Sequence, residues 1–295
     1  MEDHGEAAGH PAPAIRSKDD VTFASGSAQL AGAVLVPRAT GPHPALVLVH
    51  DGGDRTAREL RPLAAALARA GIAALIYDKR GVGDSTGDWR AGDFAQLAAD
   101  ALAGVRFLAA QPSIDPARVG LLGIGEGGWV VPLAAARAAE VAFVVTIGAA
   151  ATTPIEQERF RRVYDLRRAG AGNALIALYS ALWLLVCAVW RRLPDRATAP
   201  PSARRYFARV CAFDPLPVWR QVRQPLLALW GERDDRVPPH GSAWLLRRVL
   251  RAGGHANSRV VIVPGAGHAL AFPGDATSAA APATAALVAH WLLPG

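Results

Sequence analysis

The stretch VGLLGIGEGG, residues 119–128, runs from an apolar segment into a glycine turn that could serve two kinds of chemistry. Gly123, Gly125 and Gly128 satisfy GxGxxG, a loop that lays backbone N–H groups against a pyrophosphate. Such a loop should open a nucleotide-binding unit and be followed by an acid at the end of the next strand. Here the next apolar run ends in GAAA, and Glu140 precedes it instead of following it. The competing pattern is GxSxG, a tight strand-to-helix turn that lifts a nucleophile above a sheet. Gly123, Ile124, Gly125, Glu126 and Gly127 fit that turn everywhere except its centre, where Gly125 has no side chain.

A turn of this type must sit at the end of a strand, and the chain supplies several. Apolar runs at 45–50, 72–77, 119–123, 141–148, 225–230 and 259–264 alternate with helix-like segments at about 55–70, 93–111, 127–139, 240–252 and 276–292. Strands that are apolar throughout are covered on both faces, which predicts an α/β fold: a mostly parallel sheet flanked by helices on both sides. Two β-like runs, 21–24 and 30–36, flank the turn-like SGSAQ and predict a hairpin at the sheet edge. The core is expected over 21–151 and 220–295. Residues 1–20, small and polar with proline, read as a flexible tail with no secretory signal.

No strand-like run interrupts residues 152–219, which predicts a helical cap inserted over one end of the sheet. Within it, ALIALYSALWLLVCAVW (174–190) has seventeen residues without a charge, between Arg167 and Arg168 on one side and Arg191 and Arg192 on the other. A membrane span wants about 20 apolar residues. A cap helix buried on most sides is the favoured reading and a basic-flanked helix on a membrane surface the second. A span is disfavoured, because the strands on both sides must join one sheet.

Net charge is +7, and its distribution matters more than its size. From Glu156 to Arg223 there are thirteen arginines against five acids, so this segment carries the whole excess. Aromatic stacking motifs and helix-turn-helix spacing are missing there, which argues against nucleic acid and leaves an anionic small molecule, a membrane surface or a plain solvated face. Cys187 and Cys211 have neither CxxC nor metal-ligand spacing. A reducing, cytoplasmic setting with no disulfide framework, metal or cofactor is expected, with membrane association as the variant.

The segments LVHDGG (48–53), YDKRGVGDSTGDW (77–89), VGLLGIGEGG, GERDDRVPP (231–239) and PGAGHAL (264–270) together resemble α/β-hydrolase esterases, thioesterases and serine-aminopeptidase-like relatives, over roughly residues 20–292. The resemblance implies hydrolysis of an ester or thioester. It assigns the acid to Asp234 in GxxDxxVP, with Asp235 as the nearest rival, and the histidine to His268, while His290 falls in the last helix. The oxyanion donors would be the backbone N–H groups of Gly52 and Glu126. Two departures stand out. Gly125 cannot form an acyl-enzyme, and Asp51 replaces the glycine usual after the histidine of LVHDGG, so that its carboxylate either faces the oxyanion position or turns to solvent. Ser85 and Thr86 belong to a segment the resemblance already explains and are weak substitute nucleophiles.

The expected function is therefore that of an esterase-descended protein acting on or binding a small hydrophobic ester or acyl compound. Asp234 and His268 would activate a water in the space at Gly125. The alternatives are a non-catalytic ligand-binding pseudoenzyme and a peripheral membrane protein using residues 174–190. The sequence leaves oligomeric state open. On this reading Gly125→Ser should restore esterase activity.

Overall fold

The computed structural model describes residues 15–190, 202–255, 257–271 and 280–293. An eight-stranded sheet runs through them, with β1 (Ile15–Ser25), β2 (Ala28–Pro37), β3 (His43–Val49), β4 (Ala73–Tyr77), β5 (Ile114–Ile124), β6 (Val144–Ile147), β7 (Leu226–Gly231) and β8 (Ser258–Val263). The spatial order is β1-β2-β4-β3-β5-β6-β7-β8. β1 pairs antiparallel with β2 and β2 with β4, while every later pairing is parallel. This is the α/β-hydrolase architecture.

Period-2 alternation explains how the two faces are covered. Val47 and Val49 enter one core with Leu97 and Val105 of α2 (Phe94–Ala109), Val130 of α3 (Gly127–Ala135) and Leu246 of α8 (Pro239–Ala252). Leu46 and Leu48 enter the other with Leu60 and Leu67 of α1 (Ala57–Arg69) and Val288 of α9 (Ala280–Leu292). All seven residues of β3, all five of β4 and all six of β7 are buried, as uninterrupted apolar runs require.

The expected tail is partly strand. β1 begins at Ile15, and its charged residues are tolerated because it is an edge strand with an outward face. Arg61 of α1 reaches Asp19 at 2.8 Å, and the register shifts between Lys18 and Val21, where Asp20 has φ 57°. Residues 1–14 lie outside the described residues.

The described residues of 152–219 form helices and no strand: α4 (Pro154–Arg168), α5 (Asn173–Trp190), α6 (Ala203–Val210) and α7 (Pro215–Trp219). A Thr153–Glu156 capping box with Pro154 in the first turn starts α4. The reading of α5 as buried on most sides is wrong. Among its described side chains only Ile176 and Cys187 are buried, with Tyr179, Ser180 and Trp183 intermediate. These residues form one stripe at helical spacing, and the Trp183 indole N–H donates to the Ile155 carbonyl of α4 at 3.3 Å. Leu175, Leu178, Leu182, Leu184, Leu185, Val186 and Val189 are 43–61% exposed. No helix among the described residues is long and apolar enough to cross a membrane. Arg191 and Arg192 lie outside the described residues.

Candidate active site

Parallel register sets the site at the carboxyl ends of the central strands. Val49 of β3 is level with Gly123 of β5, so the loop carrying Asp51 and Gly52 lies beside the turn carrying Gly125 and Glu126. Gly231 of β7 is level with Val263 of β8, which brings the loops of Asp234 and His268 together.

The turn after β5 is the strand-to-helix elbow and not a dinucleotide loop. Gly125 has φ +53°, a left-handed conformation that glycine adopts without strain, and Gly128 N–H donates to its carbonyl at 2.9 Å as α3 begins. A Cβ on Gly127 would stand 2.6 Å from the Val49 carbonyl oxygen, so the flanking glycine is required by the close approach of β3.

On the opposite side, Asp234 is fixed by its own loop. Its Oδ1 accepts N–H bonds from Arg236 at 2.8 Å and Val237 at 2.9 Å, and its Oδ2 is 2.9 Å from His268 Nδ1. The ring is therefore held in one orientation with Nε2 turned away from the acid. Nε2 is buried and has no hydrogen-bond partner among the described residues. His268 opens a 3-10 turn in which Ala269 and Leu270 have φ 55° and 63°, an unusual pair of left-handed non-glycine residues beside the site. Asp235 lines a second cavity that shares Asp51, Arg236 and His268 with the one beneath the cap, but it does not take the acid position, and His290 lies exposed in α9.

Asp51 decides the character of the site. Its side chain points in: Oδ1 accepts from Gly52 N–H at 2.7 Å and from Glu126 N–H at 3.0 Å, the two donors expected to hold an oxyanion. Its Oδ2 lies 3.7 Å from His268 Nε2 and 3.9 Å from Arg236 Nη1, beyond hydrogen-bonding distance of both. A Cβ built on Gly125 would stand 2.0 Å from Asp51 Oδ1 and 2.5 Å from its Cγ. The carboxylate thus fills the volume a serine side chain would need. Gly125→Ser alone cannot simply restore a triad, because the new side chain and Asp51 compete for one space.

The electrostatics follow from this triplet. Burial by itself would raise Asp51, but the His268 ring and the Glu126 and Gly52 N–H groups hold its carboxyl well below the usual range. Burial would lower His268, but Asp234 and Asp51 outweigh it and push the imidazole up to about 9. His50, one residue before Asp51, goes the other way: burial and the charge of Lys79 take it down to about 3, and its Nε2 meets the Tyr77 carbonyl. The Glu126 side chain forms a buried ion pair with Lys79 at 2.6 Å, on the wall of the cavity that Tyr206 also lines.

Sequence reasoning missed two parts of the site. Gly148, after β6, has to be small, since a Cβ there would lie 2.9 Å from His268 Cε1 and 3.3 Å from Asp234 Oδ2. The cavity wall beneath the cap is the other: Trp89, Phe94, Trp129 and Tyr206 line about 390 Å³ beside Asp51, Gly125 and His268. The Tyr206 hydroxyl is buried there without a hydrogen-bond partner among the described residues. Single aromatic residues scattered over 118 positions carry no spacing signal. Ser85 is held in its loop, donating to the Asp78 carbonyl at 2.7 Å and accepting from Ala31 N–H at 2.9 Å. No cluster of metal ligands occurs among the described residues.

A family model described as the alpha/beta hydrolase family matches residues 46–281, and the chain belongs to that family. An uncharacterized protein of Mycobacterium tuberculosis is 29% identical over 251 residues, covering 84% of this chain and 72% of that protein. Esterase EstD of Thermotoga maritima is 24% identical over 246 residues, 81% of this chain and 57% of the esterase. Among solved structures, an esterase of Pyrococcus furiosus superposes with a TM-score of 0.65 at 18% identity, covering 98% of this chain and 95% of that one, a likeness of fold.

Proposed function

We propose that this chain is a hydrolase of esterase descent that takes a small, predominantly apolar ester or acyl compound into the cavity beneath the cap and works without a serine acyl-enzyme. In this reading His268, oriented by Asp234, is the base that activates water. The observation that carries it is the 2.9 Å bond between His268 Nδ1 and Asp234, which leaves a buried Nε2, without a hydrogen-bond partner among the described residues, facing Asp51 in the cavity that Gly125 also lines. An orienting acid with no histidine work to support would be a buried charge held at a cost. The esterase names of the relatives support the reaction class. With a chromogenic short-chain ester, we expect slow turnover with no acyl burst, falling by about 100-fold or more in His268→Ala. Equal turnover in the two proteins would remove the base and leave a ligand-binding cavity.

A second role has its own observation. Seven of the nine most exposed large apolar side chains of the described residues lie on α5, next to the exposed Arg167 and Arg168. An apolar helix face bordered by arginine fits an anionic lipid surface better than a second copy of the same cationic face. Co-sedimentation should occur with phosphatidylglycerol-containing vesicles and be lost in Leu178→Glu/Leu182→Glu/Leu185→Glu. A dimer in light scattering that these changes dissolve, with no vesicle binding, would assign α5 to self-association instead.

A further inference from the structure

Two cavities meet at His268, and their walls differ. The one beneath the cap is largely aromatic, whereas the second, of about 660 Å³, is bordered by Arg55, Arg168, Arg233 and Arg236. We propose that Arg168, Arg233 and Arg236 form an anion-binding subsite, and that the substrate is an ester with an apolar group at one end and a carboxylate at the other. The proposal rests on the hydrolase reading above and adds a charged arm to the apolar part of the substrate.

The charges on the wall select the ligand. Arg55 is already committed, donating through Nε to the Gly52 carbonyl at 2.9 Å and through Nη1 to Glu59 at 2.8 Å. The side chains of Arg168 and Arg233 make no hydrogen bond or ion pair among the described residues, and Arg236 has only Asp51 Oδ2, at 3.9 Å. Against these three guanidiniums the wall offers one further acid, Asp235, which is also without an ion pair there. Such an excess of fixed positive charge draws an anion into the cleft, and the planar guanidinium fork matches a carboxylate. All three side chains are exposed, and exposed ion pairs contribute little singly, so together they set an expectation of about 10-fold in binding.

The fold places these charges against the base. Arg233 N–H donates to the Ala266 carbonyl and Arg236 N–H to Asp234 Oδ1, both at 2.8 Å, so the loop that presents the acid to His268 also sets two of the arginines. Arg168 ends α4, and α4 is tied to the same loop where Gln157 Nε2 donates to the Arg236 carbonyl at 2.8 Å. His268, Asp51 and Arg236 line both cavities. An ester bond beside His268 Nε2 therefore has the aromatic wall on one side and the guanidiniums on the other. Water adds across that bond to give an acid and an alcohol. The charged arm is the acyl part in one orientation and the alcohol part in the other, and two pairs of probes separate them.

The first pair is mono-4-nitrophenyl adipate and its methyl ester, with the charge on the acyl arm. The second is 3-(butanoyloxy)benzoate and its methyl ester, with the charge on the alcohol arm. In at least one pair the anionic member should be preferred by about 10-fold in kcat/KM, mostly through KM. The preference should shrink towards one at about 1 M salt, where the screening length is about 3 Å, a test that needs no variant. Arg168→Ala/Arg233→Ala should abolish the preference, and Arg168→Lys/Arg233→Lys should retain part of it. Turnover that depends on His268 but favours the anionic member of neither pair overturns the subsite and leaves the hydrolase reading standing. If no ester is turned over, the ether 3-butoxybenzoate and its methyl ester are titrated by tryptophan fluorescence, since Trp89 and Trp129 line the cavity beneath the cap. Tighter binding of the acid, lost in Arg168→Ala/Arg233→Ala, then keeps the subsite and removes the hydrolase reading, and equal binding overturns both.

Discussion

The two sides of the site are built by the same sheet end, and they are occupied differently. On the β7–β8 side, Asp234 and His268 keep the arrangement that a proton-transfer pair requires, down to the side-chain-free Gly148 that makes room for the ring. On the β3–β5 side, the elbow keeps its shape, but Asp51 fills both the volume above Gly125 and the pair of N–H donors. Two inward-facing N–H groups are costly when left without an acceptor. The difference teaches that an elbow without a side chain need not leave a hole, because a neighbour that satisfies the inward donors gains at once the hydrogen bonds and the charge partner His268.

The comparison is tested hardest by changing the β3–β5 side. Gly125→Ser/Asp51→Gly places a serine at the elbow and empties the donor pair, with the β7–β8 side unchanged. Turnover of a short-chain ester should rise by about 10³-fold or more over the parent, since a triad acts as a unit and single losses cost on the order of 10⁴ to 10⁶. Gly125→Ser alone should gain little and should destabilise the fold by about 1 to 3 kcal/mol, because a side chain is forced into a left-handed turn against a carboxylate. A fully active single variant would mean that Asp51 swings out freely, and the contrast between the two sides would be lost.

Much of the scaffold was legible because its signals are local. The runs at 45–50, 72–77 and 225–230 fall within two residues of β3, β4 and β7, since continuous burial leaves an uninterrupted apolar segment. β5 starts at Ile114, ahead of the run at 119, because a register shift past His43 lets a polar stretch join the sheet. The partners Asp234 and His268 were legible from motif order. The direction of Asp51 was not, as either rotamer suits the same letters and only the distance to Glu126 N–H separates them. α5 failed for a related reason. It is as apolar as α3, whose nine residues are all buried, yet hydropathy reports what a helix could bury and not what is available to cover it.

The smaller test is of the charge that links the two sides, read through pH. His268 is raised from 6.5 to about 9 in the folded protein by Asp234 and Asp51 against the opposing effect of burial. A raised folded value means that the folded state holds its proton more tightly than the unfolded chain. The associated stabilisation is therefore complete below about pH 6.5 and is lost as pH rises through about 9. Its size is on the order of 3 kcal/mol, a single coupled interaction shared among the three side chains. Denaturant midpoints should fall over that window, while ester turnover, which needs neutral His268, should climb through it. Asp51→Asn keeps an oxygen for the two N–H donors but removes one negative charge, so both inflections should move towards lower pH. An unchanged profile in Asp51→Asn would mean that the 3.7 Å gap between Asp51 and His268 transmits no charge effect, and that the histidine answers to Asp234 alone.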